Sequence, residues 1–268
     1  MSDVRVDWHS RLRLRVLACA LLGALTGPVF AAPDRAGAPD ADRLLAESDR
    51  ARGGNLAGLR MNSKVTEYQG DSVRNSASLE IVSDTDNSLV TFVEPARVKG
   101  NKLLVRGRNM WFASPDVIKP VPISPRQRML GDAANGDIAV TRYSRDYAPT
   151  LVEGAEGEVM VDGNAVWVLD LRAKGAGVAY DRIRYFIDKK TLLGLRSDFY
   201  SVGGDVLKRA TMRYDATVND GGQRTRFLSR MEIVDGLDTS KKTVLEYSNI
   251  TPDQIPASAF NLSDLTRR

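Results

Sequence analysis

Two carboxylates, Asp132 and Asp137, flank a loop of small residues, Ala133-Ala134-Asn135-Gly136, and are a pair that could in principle do acid–base work. Two carboxyl groups at a suitable separation hydrolyse glycosidic bonds, so a carboxylate-based hydrolase of envelope glycans is one functional alternative. Aspartates in loops rich in Gly and Asn also form turns and cap helices. A second acidic run, Asp84-Thr85-Asp86-Asn87-Ser88, has the donor types of a calcium loop, but Leu89 stands where such a loop needs glycine. It reads as a hairpin tip. The sequence contains no G-x-S-x-G elbow, no S-x-x-K and no G-x-x-x-x-G-K phosphate loop. Its single histidine is His9 and its single cysteine is Cys19. No metal set and no cofactor motif is expected.

Both of those residues lie in a segment with the layout of a cleavable export signal. Arg11, Arg13 and Arg15 precede a largely apolar run, Val16–Leu25; Thr26-Gly27-Pro28 breaks any helix, and Val29-Phe30-Ala31 offers small residues for cleavage. The run is far shorter than the roughly 20 apolar residues that span a bilayer. Cys19 sits near its start, whereas a lipid-acceptor cysteine would follow it, and no Arg-Arg pair precedes it. Cleavage after Ala31 would leave a chain with neither imidazole nor thiol, excluding Ser-His and Cys-His relays, H-E-x-x-H zinc sites and C-x-x-C redox pairs. The signal holds four arginines against Asp3 and Asp7, so its loss lowers the net charge from +4 to +2. That is too small and too evenly spread for a nucleic-acid footprint. The expected location is the periplasm.

The elements that must position any site are mainly strands. Residues 32–39 read as a flexible leader and 40–268 as a single domain. Asp40 is a plausible helix cap, followed by Ala41, Leu44, Leu45 and Ser48 at helical spacing and by Gly53-Gly54 as a stop. Strands are expected at 56–68, 74–83, 88–94, 102–107, 109–113, 157–162, 165–173, 181–188, 193–202, 206–216, 225–234 and 241–249. Tight turns at Asp162-Gly163, Gly203-Gly204, Asn219–Gly222 and Asp235-Gly236 make them antiparallel. Ser124-Pro125-Arg126-Gln127, closed by Gly131, and Thr251-Pro252-Asp253-Gln254, stopped by Pro256, look like capped helical turns. Alternation is weakest between about 114 and 150, where a lid would sit. Ser88–Val93, Lys102–Val105 and Ala165–Leu171 are apolar on both faces and need cover on each side. Either the sheet buries its own inner face, or that face is left for an apolar ligand. An outer-membrane β-barrel fits less well, because the chain ends in Leu265-Thr266-Arg267-Arg268 rather than on an aromatic strand.

An ordered set of residues carries a family resemblance. It begins with Phe92-Val93-Glu94-Pro95-Ala96, Lys99–Arg106, Met110-Trp111-Phe112 and Pro115. It continues with Ile123-Ser124-Pro125, Met129-Leu130-Gly131-Asp132, Asp137, Val161-Asp162-Gly163, Val168–Leu171, Ile187-Asp188, Lys208 and Phe260. In this set the chain resembles the outer membrane lipoprotein-sorting proteins, the group related to the lipoprotein carrier LolA, over nearly all of residues 40–265. The resemblance implies a mainly β fold: a curved antiparallel half-barrel with one N-terminal helix and short lid helices around an apolar groove. It implies carriage of lipoprotein acyl chains or other lipids across the envelope, with an inner-membrane transporter as a possible donor and only peripheral membrane contact. Leu104, Trp111, Phe112 and Trp167 are then candidates for the apolar lining, although plain core packing also accounts for each. Asp132 and Asp137 become candidates for a lid or docking loop. The small residues at 133–136 replace the aromatic and acidic ones usual in the family, so contacts made there should differ. No catalytic residue is expected; a ligand-free accessory subunit of an envelope transporter is the other non-enzymatic alternative.

Overall fold

A computed structural model describes residues 39–54, 56–138, 142–152, 159–220 and 222–266. The expected signal at 1–31, and the leader up to residue 38, lie outside the described residues. From Pro39 onward the chain forms one compact unit.

Helix α1 (Ala41–Asp49) starts where the Asp40 carboxylate accepts the Arg43 amide at 2.7 Å, and a wide turn, Arg50–Gly54, ends it. Leu44, Leu45 and Ser48 form its buried stripe. The first run of strands is β1 (Gly58–Gln69), β2 (Ser72–Asp84), β3 (Asn87–Glu94), β4 (Lys102–Arg106), β5 (Asn109–Ala113) and β6 (Val121–Ile123). A crossing segment follows. It contains β7 (Arg128–Leu130), β8 (Ala133–Ala134), α2 (Asn135–Ile138) and α3 (Tyr143–Asp146). The second run is β9 (Tyr147–Leu151), β10 (Met160–Val161), β11 (Asn164–Ala173), β12 (Arg182–Asp188), β13 (Gly194–Tyr200) and β14 (Val206–Arg213). The hairpin β15 (Ala216–Asp220) and β16 (Gln223–Phe227) then precedes β17 (Arg230–Asp235) and β18 (Lys241–Pro252).

Fourteen of these strands make one antiparallel sheet in the order β10-β11-β12-β13-β14-β17-β18-β1-β2-β3-β4-β5-β6, with β9 beside β10 on the outer edge of β11. The ladder does not close on itself. Two meanders are joined where the long strands β1 and β18 pair, from Leu59 with Pro252 to Gln69 with Lys241. The period of two sorts each strand's side chains between faces. Val65, Ala77 and Leu245 stand opposite one another on the inner face and belong to the main core. Residues on the other face form two separate clusters. One packs Leu104 and Ala113 against Phe260 and Leu265; the other joins Val161, Val166, Val168 and Phe186.

Three local expectations change. The Ser124 hydroxyl accepts the Arg126 amide at 3.2 Å, but no helix follows, because Gly131 adopts a left-handed φ of 54° and folds β7 back on β8. Thr251 and Pro252 end β18 instead of starting a helix. Pro256, expected as a stop, precedes the short turns Ala257–Phe260 and Leu262–Asp264, consistent with proline's fitness at helix starts. Finally, the stretches 206–216 and 225–234 each split, so that β15 and β16 leave the sheet as their own two-stranded ladder. Asp84–Ser88 is a hairpin turn in which the Asp84 carboxylate accepts the Asp86 and Asn87 amides at 2.8 and 2.7 Å.

Candidate functional site

The inner face of the sheet is not filled by its own side chains. Leu59 and Met61 of β1, Phe199 of β13, Ala210 and Met212 of β14, Met231 of β17 and Tyr247 of β18 line a cavity of about 1010 Å³, part of which opens to solvent. Alternation puts most of them there: Leu59, Met61 and Val65 share a face of β1, Ala210 and Met212 one of β14, Met231 and Ile233 one of β17, and Leu245 and Tyr247 one of β18. Methionine suits such a wall because its unbranched chain adapts to irregular space. The end of α1 closes one side with Asp49 and Arg52, and α2 closes another with Gly136, Asp137 and Ile138.

Where α1 meets α3, a charged pair is buried. Asp49 accepts the Arg52 guanidinium at 2.9 Å, the Ser144 amide at 2.8 Å, the Ser144 hydroxyl at 2.7 Å and the Tyr143 amide at 3.3 Å. Arg52 lies 4.8 Å from the Tyr143 ring centre and 5.9 Å from that of Tyr185. Burial alone would lower the Arg52 guanidinium; Tyr185 and Asp49 outweigh it and hold it above its ordinary value. Tyr143 meets Tyr147 and Tyr185 edge to face, at centroid separations of 5.6 and 5.2 Å. Burial pushes the phenols of Tyr143, Tyr185, Tyr214 and Tyr247 above their usual range, and of these Tyr143 and Tyr247 line the cavity. Tyr214 donates to the Gly194 carbonyl at 2.9 Å, and the Tyr185 ring occupies the space that any side chain at 194 would need.

The crossing segment is bolted to the sheet by a second buried pair. Asp137 accepts Lys208 Nζ at 2.5 Å, the Tyr180 hydroxyl at 2.9 Å and the Ala134 amide at 2.8 Å. Lys208 also donates to the Asp132 carbonyl at 2.6 Å, and the Asp132 amide donates to Thr243 Oγ1 at 2.9 Å. The ammonium lies 5.0 Å from the Tyr180 ring centre. Three spaces meet at this bolt. Asp137 borders the main cavity and a neighbour of about 510 Å³, which also share Gly136 and Tyr143. Tyr180 borders that neighbour and a third space of about 1120 Å³, which Lys208 and Asp132 also line.

Asp132 and Asp137 therefore sit in one interior segment, where the Asp137 carboxylate is committed to an ammonium, a phenol and an amide. That is the environment of a fixed structural charge. The four apolar candidates lie elsewhere, and none lines the main cavity. Leu104 and Trp111 face the opposite side of the sheet and pack with Phe260 and Leu265. The physical reason is register: Leu104 pairs with Trp111, while Leu103 and Val105, one residue to either side, face the core. Phe112, opposite Leu103, is on the inner side and half-buried. Trp167 packs against the edge of the main core with Lys189 Nζ 4.6 Å from its ring centre. Reading the sequence missed Asp49, Arg52 and Tyr143, which no motif marks. Lys208 was visible only as one residue of the family pattern. Among the described residues, no cluster of three or more His, Cys, Asp or Glu side chains could hold a metal ion, and no helix is long and apolar enough to cross a membrane.

Comparison with known proteins adds the following. A family model described as "-like: Uncharacterized protein" matches residues 84–267. No curated protein matches. Among solved structures, a LolA superfamily protein of Nitrosomonas europaea is 27% identical, with a TM-score of 0.73 over 84% of this chain and 98% of that one. A DUF1329 family protein of Desulfovibrio piger is 24% identical, with a TM-score of 0.69 over 84% and 97%. An outer membrane lipoprotein-sorting protein domain from Vibrio parahaemolyticus is 17% identical, with a TM-score of 0.71 over 85% and 98%. The last two establish likeness of fold alone.

Proposed function

The chain belongs to the LolA-like group of outer membrane lipoprotein-sorting proteins, and on that premise we propose that it is a periplasmic carrier. In this role it receives lipoprotein acyl chains or other lipids in the cavity on the inner face of its sheet. The observation that carries the proposal is the cavity itself: about 1010 Å³, walled by Leu59, Met61, Ile138, Phe199, Met212 and Met231. The wall is predominantly apolar and open at one side, which suits an extended apolar ligand that enters from solvent. Each methylene withdrawn from water contributes about 0.8 kcal/mol. A sixteen-carbon chain is thus held out of water by on the order of 10 kcal/mol. A soluble protein that offers this wall removes the barrier to crossing an aqueous compartment, with no nucleophile, metal or cofactor.

The crossing segment acts in this proposal as the lid. It carries Asp132 and Asp137, and Lys208 and Tyr180 hold it to the sheet. An inner-membrane transporter is the expected donor, and contact with the bilayer is peripheral. Lipid extraction and native mass spectrometry of the purified protein should find a co-purifying lipid, and a fluorescent acyl probe should enter the protein with a blue shift. A protein that carries no lipid and takes up no probe is no carrier.

A further inference from the structure

The antiparallel order sends the turns β1–β2, β3–β4, β5–β6, β13–β14 and β17–β18 to one rim of the sheet. Exposed large apolar side chains collect there. Val73 stands at the first of these turns, Ile118 (90% exposed) at the third, Val202 (87%) and Leu207 at the fourth, and Leu237 (93%) at the fifth. The turns of the opposite rim include Thr85-Asp86, Gly107-Arg108, Asp162-Gly163 and Lys189–Thr191, and among the described residues Met160, beside Asp162-Gly163, is the one exposed large apolar side chain next to them. Val152 and Met160, also exposed, lie along the free edge beside β11. Scattered apolar surface residues need no explanation, but their collection on one rim does. The third interior space, about 1120 Å³, opens at this rim: Val202, Leu207 and Leu237 line it together with Tyr180 and Lys208.

We propose that this rim is the surface the protein lays on a lipid bilayer, with Ile118, Val202 and Leu237 entering the headgroup–acyl boundary. Val202 and Leu237 border one opening and Ile118 stands on another turn; at 87–93% exposure all three project from the rim instead of forming a recessed face that a folded partner could fill. A fluid phase accommodates separate points at different heights. Charges beside the tips along the chain have both signs: Asp116 and Lys119 flank Ile118, Asp205 follows Val202, and Asp235, Asp238 and Lys241 surround Leu237. Attraction is therefore apolar and does not depend on anionic lipid. Binding through a few small tips is reversible, as it is for a single acyl anchor, which suits a protein that must leave the membrane again. The purpose of the contact rests on the carrier proposal; its test does not.

The test is co-sedimentation of the full chain with phosphatidylcholine vesicles at low and high salt, for wild type, for the triple variant Ile118→Ser/Val202→Ser/Leu237→Ser, and for Met160→Ser. Wild type and Met160→Ser should bind equally, with little effect of salt. The triple variant should bind at least thirtyfold more weakly, at roughly three- to tenfold per tip for partial transfer of a Val, Ile or Leu side chain. All three residues are exposed, so the thermal melt should not move. Absence of wild-type binding, binding by the triple variant within threefold of wild type, or binding only to vesicles that contain a transporter protein would each overturn the proposal. Probe uptake in vesicle-free buffer, measured on the same samples, should be unchanged by the triple substitution. Loss of uptake in wild type would remove the carrier proposal and leave the vesicle result to judge the rim.

Discussion

Leu103 and Leu104 are neighbours in β4, and both are fully buried, yet they belong to different parts of the molecule. Leu103 faces the inner core, which continues across the sheet toward the cavity; Leu104 faces the outer cluster, which the C-terminal turns close with Phe260 and Leu265. The outer face at β4 and β5 is sealed by the C-terminal turns. The inner face is covered by pieces held at particular polar points: Asp49 with Arg52 under α1, and Asp137 with Lys208 under the crossing segment. Burial alone thus does not mark a ligand wall. What distinguishes the two faces is whether the cover is continuous apolar packing or a segment pinned by a few buried charges.

The largest expected effect comes from breaking the outer seal. Phe260→Ala should cost about 3–5 kcal/mol of stability, the usual range for a buried aromatic truncated to alanine, while probe affinity of the folded fraction stays unchanged. Chemical denaturation monitored alongside probe titration checks both halves; a matching fall in affinity would erase the distinction between faces. Asp137→Asn is next, at about 3 kcal/mol, because it leaves the Lys208 ammonium buried without its counter-charge. Adding Lys208→Met should restore most of that stability and leave the lid closed only by neutral contacts, so stopped-flow mixing should show faster probe entry. Equal entry rates in the double variant and wild type would show that the pair does not hold the lid. The smallest effect on stability is expected from Ala210→Leu, which fills part of the main cavity. It should weaken probe binding about tenfold, or about 1.4 kcal/mol, with stability altered by less than about 1.5 kcal/mol. Tight probe binding by this variant would locate the ligand outside the main cavity.

Much of the fold was legible because its signals are local. The Asp40 cap, the helical spacing of Leu44, Leu45 and Ser48, and the Asp162-Gly163 turn each depend on a few adjacent residues. The short helices expected at 124–131 and after Thr251 failed for reasons that lie outside those windows. Gly131 sits where the Thr243 hydroxyl and the Glu67 side chain leave no room for a β-carbon, and Thr251 pairs with Arg60 almost two hundred positions away in the chain. The site was less legible than the fold. Asp132 and Asp137 stood out as a pair, but their partners Lys208, Tyr180 and Thr243 come from distant strands and loops. Leu104 and Trp111 looked like ligand wall because they are large and apolar, a property shared by both faces.

By itself, the sequence determined the class of structure: a helix, then strands whose alternation and tight turns require an antiparallel sheet. It also determined the family, through an ordered set of residues. It determined that any apolar strand residue shares a face with those two positions away. Only the tertiary structure decided which of the two faces is the inside. A period of two is symmetric between faces, and the choice depends on where the C-terminal segment and the crossing segment lie. Those placements are made by contacts between residues far apart in the chain, such as Leu104 with Phe260 and Asp137 with Lys208, whose energies no local pattern records.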